Sequence, residues 1–329
     1  MIIPQKLKAG DEIRVIAPAR SLSLVGETNM KLAQARLESE GFRVTYGKHV
    51  WEMDEFQSSS IESRISDLHD AFRDPNVKAM FTVVGGFNTN QLLDHLDYDL
   101  IRANPKILCG FSDITALANA ITTKTGLVTY SGPHFSTWAM QKEFDFNLEY
   151  FRKCLVESAP FAIEHSKSWS DDAWFMDQEN REVVQDSEYW VIHEGKAEGR
   201  IVGGNLCTFG LLQGTKYMPS LKDSILFIED DEIVGNWTKQ EIDRNLQSLI
   251  HQSDFPGVRA ILIGRFQKDS NITREIITKI IETKRELTDL PIVANVDFGH
   301  TNPLITFPIG GSAKIQTNEN GALIIITEH

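Results

Sequence analysis

Ile107-Leu108-Cys109-Gly110-Phe111-Ser112-Asp113-Ile114-Thr115-Ala116-Leu117 passes from a short apolar run through a glycine-bearing turn into a helical pattern that continues to Ile121. A strand that turns directly into a helix is the repeating unit of a parallel sheet covered by helices on both faces. The chain before it repeats the unit. Ile13 to Ala17 reads as a first strand, Asn29 to Glu40 as a helix closed by Gly41, and Phe42 to Tyr46 as the next strand. Ile61, Ile65, Leu68 and Phe72 share one helical face, with Ser59 and Glu62 at capping-box spacing. Ala79 to Val84 is another strand, ending in Gly85-Gly86 before a predicted helix that carries Leu92, Leu93 and Leu96. Val128 to Tyr130 closes the series.

Beyond a predicted helix at Phe146 to Glu157 the texture changes. Ser166 to Asp186 is acidic and aromatic with little periodicity, which reads as a linker or a functional loop. From Tyr189 onward, short extended runs follow: Arg200 to Gly204, Ser224 to Ile228, Ala260 to Ile263, Ile292 to Val296 and Leu323 to Ile326. Helices are expected at Lys239 to Ile250 and Thr273 to Leu287. A second, strand-rich domain is the expectation, and a chain of 329 residues is long enough for two cores.

A net charge of -13 argues against a general nucleic-acid surface, because phosphate binding needs clustered Lys and Arg. Cys109, Cys154 and Cys207 are odd in number and lack CxxC spacing, so neither a disulfide framework nor a zinc site is suggested. The first residues, Met1-Ile2-Ile3-Pro4-Gln5-Lys6, carry no secretion signal, and no stretch reaches the ~20 apolar residues a membrane span needs. A cytoplasmic protein without membrane contact is expected.

Ser112 occupies the turn where a nucleophile elbow holds a hydroxyl above a sheet edge. The second glycine of GxSxG is absent, since position 114 is Ile, and a helix N-cap is the competing reading of the same serine. Gly85-Gly86, at another strand end, offers backbone N–H groups to a developing oxyanion, with the Asp113 amide as the second donor. Its bland reading is a tight turn; GxGxxG and GxxxxGK[ST] are both missing, so a nucleotide cofactor has weak support. Of nine histidines, His300 in the loop Asp297-Phe298-Gly299-His300-Thr301-Asn302-Pro303 and His134 in Ser131-Gly132-Pro133-His134 are the rival bases. The run Glu229-Asp230-Asp231-Glu232 at a strand end supplies acids to orient an imidazole, or is only a solvated turn. Trp169 and Trp174, with Phe175, are candidates for a lid stacking on a planar group, or for ordinary packing within the loop.

On Gly10-Asp11-Glu12-Ile13, Ala17-Pro18-Ala19, Gly85-Gly86-Phe87-Asn88, Gly110-Phe111-Ser112-Asp113, Ile201 to Leu206, Phe227-Ile228-Glu229-Asp230 and Gly299-His300, the chain resembles the LD-carboxypeptidase family of serine peptidases, and within it the microcin C self-immunity branch. The resemblance implies Ser112 as nucleophile, Glu229 as orienting acid and His300 as base, with Gly86 and Asp113 as oxyanion donors. It implies an α/β fold: an N-terminal Rossmann-like parallel sheet domain (1–165), a linker and aromatic substrate loop (166–188), and a smaller β-rich, barrel-like C-terminal domain (189–329). A homodimer without metal or organic cofactor is also implied. The microcin branch cleaves aminoacyl-adenylate-like compounds, whereas other members trim D-alanine from murein tetrapeptides. The segment Ser168 to Arg181 looks like the former, with Gly85, Trp169 and Trp174 as candidate substrate contacts. A non-catalytic nucleotide-binding module is the reading of a different class, against which the matched Ser, Glu and His weigh.

Overall fold

The computed structural model describes residues 1–185, 188–319 and 321–329; Asp186 and Ser187 of the expected linker, and Asn320, lie outside the described residues. The first half of the chain alternates as the pattern predicts: β1 (Glu12–Ile16), α1 (Glu27–Ser39), β2 (Arg43–Tyr46), α2 (Ile61–Arg73), β3 (Val77–Thr82), α3 (Tyr98–Ala103), β4 (Ile107–Cys109), α4 (Ile114–Thr125), β5 (Thr129–Ser131) and α5 (Asp145–Phe151). β1 to β5 are parallel in the order β5-β4-β3-β1-β2. Helices on both faces explain why β4 is apolar throughout and buried along its whole length. The strand order reverses between β1 and β3, the position where an open α/β sheet opens a crevice beyond its carboxyl ends.

The second half contains β6 (Phe161–Ile163), β7 (Ser168–Trp169), β8 (Val184–Gln185), β9 (Trp190–His193), β10 (Gly195–Asn205), α6 (Leu206–Gly210), β11 (Ser224–Glu229), α7 (Thr238–Ile250), β12 (Ala260–Gly264), α8 (Arg274–Glu282), β13 (Ile292–Val296), β14 (Phe307–Ile309), β15 (Ser312–Asn318) and β16 (Gly321–Glu328). Eight of these strands form one sheet in the order β6-β16-β15-β10-β11-β12-β13-β9. Its central four, β10 to β13, are parallel, and its flanks are antiparallel. β14 crosses back to pair antiparallel with β5, so the segment after the His300 loop stitches the two sheets together. The α/β class, with a mostly parallel first sheet, is as expected.

Three local expectations are corrected. The N-cap of α2 is Ser60, whose Oγ accepts from Ser63 N at 3.0 Å, rather than the buried Ser59. The helix expected after Gly85-Gly86 is a 3-10 turn at Thr89–Leu92. Its backbone is claimed at the start by Asp113, whose carboxylate accepts from the amides of Asn88 and Thr89, while Leu92, Leu93 and Leu96 still bury their side chains. The aromatic stretch is not without structure: β7 and β8 pair as a ribbon, and Ser170 bridges to Asn302.

Candidate active site

Ser112 has φ +59°, a left-handed conformation that costs an L residue roughly 1–2 kcal/mol and collects at functional sites. The left-handed residue of the turn is thus the serine itself, not Gly110. Asp113 precedes α4 and makes no side-chain cap bond, so the cap reading of Ser112 has no hydrogen bond behind it. The Ser112 hydroxyl points instead toward the second sheet, with Oγ 3.0 Å from His300 Nε2.

His300 follows β13, in the loop that begins at Asp297. Its Nδ1 lies 2.7 Å from Glu229 Oε2, at the end of β11. Glu229 is 3% exposed, so its carboxyl group needs a polar partner, and the imidazole supplies one. Gly299, at φ +105°, makes room for this: a Cβ there would meet Glu229 Oε2 at 2.8 Å. The next acid, Asp230, does not reach the ring; it accepts from Asn205 Nδ2 at 3.1 Å. Burial, then Glu229 and Asp231, push the Asp230 carboxyl up to about 7. Burial also works against a charge on His300, but Glu229, aided by Asp231 and Asp230, outweighs it and pushes the imidazole up to about 9.

The rival base, His134, makes no hydrogen bond to Ser112. His134 is buried with Nδ1 2.7 Å from Thr82 Oγ1, and its Nε2 has no partner among the described residues. Burial, with His300 and Arg20 nearby, lowers it to about 3, so it stays neutral. It packs under Phe111, whose ring also contacts His300, with centroids 4.3 and 5.3 Å away respectively.

Gly85 brings the loop after β3 against the serine: a Cβ at Gly85 would sit 3.0 Å from Ser112 Cβ and 3.1 Å from Ser112 Oγ. Among the described residues the amides of Gly86 and Asp113 donate to no other group. Amides that donate to no protein group are available to an oxyanion. Their placement is supported from beneath. The Asp113 carbonyl accepts from Thr89 Oγ1 at 2.6 Å, and Arg64 donates to the carbonyls of Pro18 and Asn88 and to Gln91 Oε1. Arg64 and Thr89 were not singled out in the sequence; the buried arginine on an otherwise amphipathic α2 is the signal that was there to find.

A cavity of about 360 Å³ adjoins His300, walled by Phe111, Trp174, Phe175, Asn302 and Glu232 among others. Trp174 is therefore at the site. Trp169 is not among the residues that line this cavity; Arg265 and Lys268 lie over its ring, 5.5 and 5.7 Å from the centroid. Among the described residues no group of three or more His, Cys, Asp or Glu is arranged to hold a metal ion, and no helix is long and apolar enough to cross a membrane.

Comparison with known proteins agrees along the length of the chain. Residues 13–132 match the LD-carboxypeptidase N-terminal domain and residues 198–315 the LD-carboxypeptidase C-terminal domain. YocD of Bacillus subtilis, provisionally named a carboxypeptidase, is 54% identical over 324 residues, covering 98% of this chain and 99% of its own. The crystal structure of an MccF-like protein from Bacillus anthracis, 54% identical, superposes with a TM-score of 0.99 over 100% of both chains. The microcin C7 self-immunity protein MccF of Escherichia coli is 29% identical over 342 residues, covering 99% of this chain and 96% of its own. Its structure in complex with aspartyl sulfamoyl adenosine superposes with a TM-score of 0.88 at 28% identity, covering 100% of this chain and 99% of that one. The chain belongs to the LD-carboxypeptidase family.

Proposed function

We propose that the protein is a serine hydrolase in which Ser112, His300 and Glu229 act as nucleophile, base and orienting acid, and that it cleaves aminoacyl-nucleotide-like substrates. The observation that carries the reading is the continuous relay from Ser112 Oγ to His300 Nε2 at 3.0 Å and from His300 Nδ1 to Glu229 at 2.7 Å. Both distances are within the reach a base and its orienter need. Glu229 holds the Nδ1–H tautomer, leaving the Nε2 lone pair toward the serine. As Ser112 Oγ bonds to the substrate carbonyl carbon, its proton passes to Nε2, and the carbonyl oxygen takes up negative charge against the Gly86 and Asp113 amides. Collapse of this intermediate breaks the acyl–nitrogen bond, and the departing nitrogen takes the proton from His300. Water then repeats the sequence on the acyl-enzyme and regenerates Ser112.

The preference for a nucleotide-bearing leaving group is supported by Trp174 on the cavity wall and by the aspartyl sulfamoyl adenosine held by the microcin C7 self-immunity protein. A murein tetrapeptide is the alternative substrate, consistent with the family and lacking any planar group for the tryptophan. A cytoplasmic homodimer accompanies this reading, open to sedimentation and cell fractionation. The deciding experiment compares the wild type with Ser112→Ala on aspartyl sulfamoyl adenosine and on a murein tetrapeptide, following products chromatographically. Ser112→Ala is expected to lose several orders of magnitude in rate on either substrate without a lower melting temperature. A variant that still turns over removes Ser112 from the role of nucleophile, and a wild type that cleaves the tetrapeptide alone reverses the substrate assignment.

A further inference from the structure

The strand ends that supply Glu229 and the His300 loop also supply a second pair of charges, which the relay does not use. Arg265 directly follows β12, and Asp297 directly follows β13. Arg265 Nη1 donates to Asp297 Oδ1 at 2.6 Å, and the two side chains are 2% and 0% exposed. The same guanidinium donates through Nε to Asn295 Oδ1 at 3.0 Å, and its Nη2 lies 3.1 Å from His165 Nε2. Asp297 also accepts from Ser166, from its backbone amide on Oδ2 at 2.8 Å and from its hydroxyl on Oδ1 at 2.5 Å, and Arg265 Nη2 donates to that hydroxyl at 3.4 Å. Ser166 opens the aromatic segment, and its neighbour Trp169 lies against the Arg265 guanidinium.

Asp297 also opens the loop that carries His300. Its carbonyl accepts from Ile305 N at 2.7 Å, closing residues 298–304 into a tight excursion. Inside that excursion Asn302 exchanges two backbone hydrogen bonds with Ser170, at 2.7 and 2.8 Å. The aromatic segment and the base loop are therefore joined at both of their roots, by Ser166–Asp297 and by Ser170–Asn302. A buried ion pair adds little net stability over an apolar pair of the same shape, while removal of one partner strands a charge. What such a pair does well is hold several groups at fixed angles, and a guanidinium fork is suited to that task.

We propose that the Arg265–Asp297 pair is a positioning unit which, through Ser166, sets the aromatic wall of the cavity and the His300 imidazole as one piece. The consequence for catalysis rests on the reading of His300 as base; the mechanical coupling does not. Ser166→Ala tests it without stranding a charge, and Arg265→Lys keeps the charge opposite Asp297 but cannot make the remaining contacts. Amide hydrogen exchange is measured by segment in both variants and in the wild type, together with kcat on aspartyl sulfamoyl adenosine. Exchange is expected to accelerate about tenfold or more, and to a matching degree, in residues 167–176 and 298–305, with the two sheets unchanged, as befits loss of hydrogen bonds to charged groups. The kcat should fall about tenfold at temperatures well below melting, because a base held loosely is seldom aligned. Acceleration in one segment alone, an even rise over the whole chain, or no change overturns the coupling. If the wild type fails to turn over this substrate, the substrate reading falls and kcat is read on the murein tetrapeptide instead; failure on both sinks the catalytic reading, while the exchange data still decide the coupling.

Discussion

Replacing Glu229 by Gln should move the pH dependence of the enzyme in a direction that the site's electrostatics fix. In the wild type the imidazole of His300 is raised from 6.5 to about 9, with Glu229 the foremost of the charges that overcome its burial. That rise corresponds to ~3 kcal/mol of preference for the imidazolium in the folded state. Since the neutral imidazole is the form that accepts the serine proton, log(kcat/KM) of the free enzyme should climb with pH through an apparent pKa above 6.5 and toward 9. In Glu229→Gln the burial remains and the foremost compensating charge is gone, so the acidic limb should move down by one or more pH units. The plateau should also drop, by up to ~10⁴-fold, because an amide can donate to Nδ1 and select the wrong tautomer. Stability gives an independent reading with its own sign. A group whose pKa is raised on folding stabilises fully below its unfolded value, and that contribution is lost as pH rises through the folded value. The wild type should therefore lose up to ~3 kcal/mol between pH 6.5 and 9 that Glu229→Gln does not lose. The assays are initial rates from pH 5 to 10 and urea unfolding at the two pH extremes. An acidic limb that stays in place in Glu229→Gln would refute the assignment of that limb to the His300–Glu229 pair.

Gly85→Ala places a methyl group 3.1 Å from Ser112 Oγ, so the hydroxyl must yield by a few tenths of an ångström; kcat is expected to fall about 10- to 100-fold with a modest change in melting temperature, and an unchanged kcat would show that the contact is not critical. Trp174→Ala should weaken binding of aspartyl sulfamoyl adenosine by ~1–3 kcal/mol while sparing a murein peptide, as the loss of one base stack would. Trp169→Ala should leave substrate preference little changed, since Arg265 and Lys268 lie against that ring; Trp174 is itself buried, so both variants are compared well below melting, and comparable losses of affinity in the two would reverse this division of roles.

The parts of the site that could be read from the sequence are those that local backbone chemistry dictates. A glycine-bearing turn between β4 and α4 exposes whatever hydroxyl it contains, and Ser112 was readable for that reason. The helix expected after Gly86 illustrates the opposite case: its leucines have helical spacing, yet the Asp113 carboxylate, remote in sequence, takes the amides of Asn88 and Thr89 and leaves a single 3-10 turn. His134 and His300 looked alike because both follow a strand and both sit in polar loops. What separates them is that β13 lies two strands from β11 in the same sheet, which brings His300 beside Glu229, whereas His134 is sealed under Phe111. Trp169 and Trp174 were indistinguishable in the sequence for a related reason, since the cations beside Trp169 come from the end of β12 and beyond. The choice between Glu229 and Asp230 shows where sequence reading stops. Successive side chains leave an extended chain on opposite sides, so only one of the two acids can face the crevice. In a sheet with one wet face the alternation of polar and apolar residues would say which. β11 is buried at every position from Ser224 to Glu229, so the alternation is absent and the parity cannot be recovered from composition. It is set instead by the register of Asn205 against Glu229, which ties Asp230 to Asn205 and leaves Glu229 for the histidine.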